Sequence, residues 1–203
     1  MLKRAARVAG WAGLCLAAGV AVTRGHARRP DERAFRLVNR GAGDAVDRLF
    51  GWGTELGSIW ASAAAAAVLA ATGHRRAAAR GLGAASVAWV AGQGLKELFP
   101  RLRPYQAEGA AVRLLVAPPR GRSWPSSHPA VLSAFLTVAG RELGLPVRAR
   151  AALGALGAAV GFSRTYVGVH YPGDVLGGLS MGRLVADALS EAPGSSWRLR
   201  PPQ

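Results

Sequence analysis

Cysteine is almost missing from this chain: Cys15 is the single thiol in 203 residues. One thiol excludes a disulfide scaffold, and no CxxC or Cys/His cluster suggests zinc. Cys15 lies in an apolar run and reads as a small buried side chain. Acids are scarce as well, 11 Asp+Glu against 26 Lys+Arg, leaving a net charge of +15. Aromatic residues make up only 7%, so the 50% hydrophobic content comes mostly from Ala, Val and Leu, alongside 27 Gly. That apolar share excludes a disordered polyelectrolyte, and the length allows one domain or at most two small ones. The basic residues punctuate apolar blocks instead of forming one tract, so no nucleic-acid partner is expected.

Long uninterrupted hydrophobic runs are also lacking. Apolar segments recur at 8–23, 56–73, 82–95, 130–140, 151–162 and 175–190, and none holds a charged residue until Arg183 and Asp187. Most are shorter than the ~20 residues a helix needs to cross a bilayer. They fit either a soluble helical bundle or membrane spans with polar ends. The membrane reading is preferred because 56–72 carries no charge and its Ala, Gly and Ser suit close helix packing in lipid. Lys96, Arg164 and Arg183 in terminal turns, snorkelling or facing a cavity, would bring the shorter runs to spanning length. The expected fold is all-α: a polytopic bundle of about six transmembrane helices.

Residues 1–23, with Lys3, Arg4 and Arg7 ahead of an apolar core, resemble a secretory signal or a retained first span. Alternation from there places loops 100–127 and 163–174 on one face. Arg75, Arg76 and Arg80 in one short loop, with Arg141, Arg148 and Arg150 in another, suggest that the opposite face is cytoplasmic. Segment 24–54 runs against this with seven arginines. Its stretch 31–50 sets Phe35, Val38, Val46, Leu49 and Phe50 among charges, as an interfacial helix broken near Gly41 would. Trp11, Trp52, Trp124 and Trp197 fall near span ends, as in an interfacial belt or in ordinary core packing. Residues 24–192 form the expected catalytic unit and 193–203 a flexible tail.

Three polar clusters are costly to place at span ends and so point to function. His170 and Asp174 are four apart across Pro172 and Gly173, so a turn feeding a helix can bring the carboxylate to the imidazole. The carboxylate would fix the tautomer and free the other nitrogen to attack. Arg164 offers a forked donor pair to an oxyanion. Pro125-Ser126-Ser127-His128-Pro129 reads as a helix start whose hydroxyl and N–H groups suit an anion and whose His128 is free to act as an acid. Lys96 and Arg103 add positive charge on the same face. His26 and His74 sit beside arginines without a partner and read as solvated.

In order and spacing these clusters resemble the signature of the type 2 phosphatidic acid phosphatase superfamily, KxxxxxxRP, PSGH and SRxxxxxHxxxD. Lys96, Arg103 and Pro104 match the first element, and Ser163, Arg164, His170 and Asp174 the third. The second departs at Ser127, where the family usually has Gly; Ser keeps the N–H but disfavours positive φ, and the added hydroxyl is read as harmless. The resemblance implies a lipid phosphatase in which His170 attacks phosphorus, Asp174 orients it and His128 protonates the leaving oxygen. It implies that Lys96, Arg103, Ser126, the Ser127 N–H and Arg164 hold the phosphoryl oxygens, with no metal or other cofactor. Substrates in this class include polyprenyl diphosphate, phosphatidate, phosphatidylglycerol phosphate and a polyprenyl-phosphosugar phosphate. The expected setting is the cell membrane, with the site on the extracytoplasmic face. Two other readings compete: a non-catalytic basic membrane protein that binds anionic lipid or a partner, and a soluble vanadate-dependent haloperoxidase sharing the anion site.

Overall fold

The structure, a computed structural model, describes residues 2–190, which hold helices and no strand. Each of the six apolar segments falls on one of six longer helices: α1 (Leu2–Thr23), α4 (Ile59–Ala71), α5 (Arg75–Leu98), α7 (Ser127–Glu142), α8 (Val147–Tyr166) and α9 (Pro172–Ala188). Between α1 and α4 lie α2 (Arg28–Val38), α3 (Asp44–Gly53) and a 3-10 turn at Thr54–Gly57, and α6 (Pro104–Ala107) is a single turn in the long loop after α5. The expected break near Gly41 is present: Gly41 and Gly43 take φ of 89° and 96°, and α2 ends while α3 begins. Local chemistry marks other ends. Ser58 Oγ caps α4 by accepting from the Ala61 N–H at 3.1 Å, and Pro172 starts α9 where a missing N–H costs nothing.

The core is built around α7, against which α5, α8 and α9 pack. Small residues set the spacing. Ala78, Ala85, Val131, Phe135 and Ala139 close the α5/α7 seam, and Ala84, Ala88, Ala134, Val138, Val185 and Ala186 continue it to α9. A methyl group at Gly178 would collide with the Ser126 carbonyl oxygen, and one at Gly182 with that of Ala130. Two glycines four apart therefore let α9 approach the backbone of α7. On the far side of α9, α1 contributes Cys15 and Val22 to a cluster with Phe99, Trp124 and Met181. Cys15 is buried and free, as its apolar surroundings suggested.

Several expectations are corrected. The two short basic loops expected at 73–81 and 141–150 are largely helical: Arg75, Arg76 and Arg80 ride the first turns of α5, Arg141 the last turn of α7, and Arg148 and Arg150 the first turn of α8. Trp124 is fully buried, with its ring 4.4 Å from that of Phe99, so it belongs to the core and not to an interfacial belt. Trp52, by contrast, is exposed. Trp197 and the tail 193–203 lie outside the described residues. Among the described helices α1 alone is long and apolar enough to cross a bilayer, and α4 reaches that standard only with α3 and the 3-10 turn as a pair bent by 67°. α4 has 13 residues, a length of about 20 Å at 1.5 Å per residue. The count of six spans is thus not reproduced by length and hydropathy. Glycine, serine and inward-turned charge dilute the remaining helices.

Candidate active site

The end of α5, the loop 99–103, the start of α7 and the α8–α9 connection meet at one end of the bundle. Lys96, in the last turn of α5, and Arg164, in the last turn of α8, point inward instead of snorkelling. Lys96, Arg103 and Arg164 are 8%, 3% and 3% exposed. Cations held out of water in this way need anionic or strongly accepting partners.

His170 lies at the centre. Arg103 Nη1 donates to His170 Nε2 at 3.0 Å and to the Val169 carbonyl at 3.1 Å. A guanidinium can only donate, so Nε2 must be an acceptor and the ring proton sits on Nδ1. Nδ1 in turn faces Asp174 Oδ2 and Ser123 Oγ, each at 3.4 Å. Burial, reinforced by the Arg103 charge against the opposing pull of Asp174, pushes the His170 pKa down to about 3. The imidazole is therefore neutral at ordinary pH, with its lone pair directed at the cationic side of the site.

Asp174 is fully buried and well satisfied. Arg101 Nη1 donates to Oδ1 at 2.8 Å, while Oδ2 accepts from Ser123 Oγ at 2.5 Å and from the Tyr171 N–H at 2.9 Å. Arg101 also contacts Asp31 Oδ2 at 2.7 Å and lies 4.1 Å from the Tyr171 ring centroid. Burial opposes its charge, yet the two carboxylates prevail and raise its pKa. Asp31 accepts from the Gly173 N–H at 2.7 Å, and burial raises its pKa despite Arg101. The chain His170–Asp174–Arg101–Asp31 thus ties the imidazole to α2, the helix expected merely to lie at an interface.

On the facing side Ser126, just before α7, donates its N–H to the Asp174 carbonyl at 3.0 Å. Its hydroxyl is buried and has no partner among the described residues, and neither has Arg164 Nε. Arg164 Nη1 donates to Thr54 Oγ1 at 2.9 Å. An unpaired buried hydroxyl and guanidinium N–H are expensive unless something accepts from them. Ser127 carries no positive φ, so its position does not require glycine, and its hydroxyl accepts from Lys96 Nζ at 3.1 Å. His128, in the first turn of α7, packs on Gly57 and lies within electrostatic reach of Arg164, His170, Lys96 and Arg103.

All eight residues singled out from the sequence, Lys96, Arg103, Ser126, Ser127, His128, Arg164, His170 and Asp174, gather here. The sequence reading missed Arg101, Ser123, Asp31 and Thr54. Arg101 offered a faint signal, standing two residues before Arg103 in the same basic stretch. His26 and His74 are exposed, and His74 Nδ1 is 3.3 Å from Thr72 Oγ1.

A neutral, oriented imidazole beside a cradle of buried cations is an arrangement able to hold an oxyanion-bearing group against a nitrogen lone pair. The PAP2 superfamily model matches residues 76–196, and the chain belongs to that superfamily. It is 32% identical over 106 residues to decaprenylphosphoryl-5-phosphoribose phosphatase of Mycobacterium tuberculosis, covering 52% of this chain and 55% of the relative. The chain thus spans about half the length of the curated relatives it matches. Among solved structures it is similar to Aquifex aeolicus LpxE, with a TM-score of 0.68, 27% identity and coverage of 76% of this chain and 90% of the other. A transmembrane PAP2-type phosphatidylglycerolphosphate phosphatase from Bacillus subtilis shares the fold at a TM-score of 0.67, with 22% identity and 92% and 93% coverage.

Proposed function

We propose that this protein is an integral-membrane phosphatase that hydrolyses a lipid phosphate through a phosphohistidine. The observation that carries this reading is the tautomer of His170, which leaves Nε2 unprotonated and aimed at buried donors. A phosphoryl oxygen accepting from Arg103 would take that guanidinium off Nε2 and let the lone pair reach phosphorus. The P–O bond to the lipid breaks as the P–N bond forms, and His128, protonated to the imidazolium once the bound phosphate offsets the surrounding cations, gives that proton to the departing oxygen. Water then attacks the phosphohistidine, losing a proton to His128 and returning His170 to its neutral form. Ser126 Oγ, Arg164 Nε and Lys96 supply donors where charge builds up, a contribution of about 3–4 kcal/mol for one well-placed group.

No step requires a metal, and a site with four buried cations against two carboxylates repels a divalent ion. The M. tuberculosis relative supports a polyprenyl-linked sugar phosphate as the substrate class. The active-site end of the bundle is read as extracytoplasmic from the arginines on the starts of α5 and α8 at the opposite end, against which stand the arginines of α2 on the active-site side.

The test is phosphate release by detergent-purified protein with EDTA present, run side by side on polyprenyl-phosphosugar phosphate, polyprenyl diphosphate, phosphatidate and phosphatidylglycerol phosphate. Activity that survives chelation, an acid-labile phosphoenzyme and its loss in His170→Ala are the expected results. Full activity in His170→Ala would overturn the mechanism.

A further inference from the structure

The opposite end of the bundle carries a second concentration of cations that the phosphatase chemistry does not use. A cavity of about 640 Å³ opens among α7, α8 and α9 near the start of α1, with Arg7, Arg141, Arg150 and Arg183 on its wall. Along α7, Ser127 and Arg141 are 14 residues apart, so this cavity's basic rim is about 21 Å from the site described above.

Its charge is organised. Asp187 is buried and held by Arg141 Nη2 at 2.6 Å, by Arg7 Nε at 3.5 Å and by Trp11 Nε1 at 3.2 Å. Arg183 Nη1 donates to Thr137 Oγ1 at 3.0 Å. The side chain of Arg150 has no hydrogen-bond or ion-pair partner among the described residues. Among the described residues the other carboxylate at this end is Glu142, which Arg76 and Arg80 engage. Among the described residues, therefore, four guanidinium groups face the cavity against one carboxylate, Asp187, which acts from within to hold Arg7 and Arg141 in place. Leu136 and Leu153 line the cavity as well, and Gly154 leaves open space where a side chain would stand. Free phosphate would use only the basic rim; a lipid uses the apolar wall too.

We infer that this cavity is a binding site for an anionic phospholipid, whose phosphate meets Arg150, Arg183 and Arg141 while an acyl chain lies between α7 and α8 along Gly154. Basic pockets between helices at a membrane face favour such headgroups, and each arginine adds a contribution that a zwitterionic lipid does not draw on.

The test is binding of phosphatidylglycerol, phosphatidylcholine and inorganic phosphate to the full chain in detergent, read by native mass spectrometry and thermal shift. Phosphatidylglycerol should bind and raise Tm, while phosphatidylcholine and phosphate at the same concentration should not. Arg150→Gln should weaken phosphatidylglycerol about fivefold and the Arg150→Gln/Arg183→Gln pair more than tenfold. Gly154→Leu should weaken the lipid by filling the apolar wall without altering charge. Arg150 has no internal partner to lose, so its variant keeps the test informative if the pair fails to fold. Binding that survives these changes but disappears in Arg164→Gln would place the lipid at the phosphatase site and overturn the inference. Equal protection by phosphate, or unchanged binding in both Arg150→Gln and Gly154→Leu, would overturn it too. Because none of these readouts measures turnover, a failure here is distinct from a failure of the phosphatase reading.

Discussion

The two ends of the helical bundle are both basic, yet they treat charge in opposite ways. At the end that holds His170 the four site cations, Lys96, Arg101, Arg103 and Arg164, are withdrawn from solvent, and Arg101 is locked between two carboxylates. At the other end Arg7 is exposed, Arg141 is half-buried, and the arginines open onto a cavity. Burial of an ion is costly, so a fold retains it where geometry serves chemistry; an exposed arginine is cheap and suits a reversible, salt-sensitive contact. Formal charge alone does not separate the two ends. The partners of each charge do.

The sharpest way to break this contrast is His170→Ala, which should lower phosphate release by about 10⁴-fold or more while leaving lipid binding at the arginine end unchanged. His128→Gln should cost about 10²–10⁴-fold, with the larger losses on substrates whose leaving oxygen is most basic, as a burst assay across leaving groups would show. Arg101→Met removes the ion that matches Asp174 and Asp31, and should destabilise the fold by about 3–5 kcal/mol in chemical denaturation. An equivalent exposed change, Arg150→Gln, should stay within about 0.5 kcal/mol.

The pH dependence sharpens the contrast from another side. His170 stays neutral until the pH approaches about 3, so kcat/KM should show no acid limb from the nucleophile near 6.5, the ordinary imidazole value. Below about 6.5 the unfolded chain takes up this proton and the folded chain does not. Stability should therefore fall as pH drops through that window towards 3, and His170→Gln should flatten the slope. The smallest expected effect belongs to Ser127→Gly, which deletes the hydroxyl bonded to Lys96 and should cost about 0.5–1.5 kcal/mol of stability with only a severalfold change in kcat.

Much of the catalytic end was legible in the sequence because its parts sit at fixed spacing on short stretches. His170 and Asp174 share a turn, and Ser126 to Pro129 announce a helix start. The six apolar segments likewise marked the six longer helices. What was hidden depends on distant pairing. Asp31 read as one acid among surface charges because nothing local says that α2 docks on the start of α9, where its carboxylate meets the Gly173 N–H and Arg101. Ser123 is an ordinary loop serine until the chain reversal before α7 sets it beside Asp174. Thr54 becomes relevant only because the 3-10 turn before α4 leans on Arg164. Trp124 was ambiguous for the same reason, since neighbouring sequence cannot distinguish a membrane surface from the α1 face it meets.

The link from the Ser126 N–H to the Asp174 carbonyl has a mechanical meaning. It staples the start of α7, which carries His128, to the first turn of α9, which carries Asp174, backbone to backbone, and the glycine-lined contact of α7 with α9 continues the same clamp. These two helices therefore travel as one rigid strut. Under the proposed chemistry, His128 and His170 would then keep one alignment whatever the outer helices do.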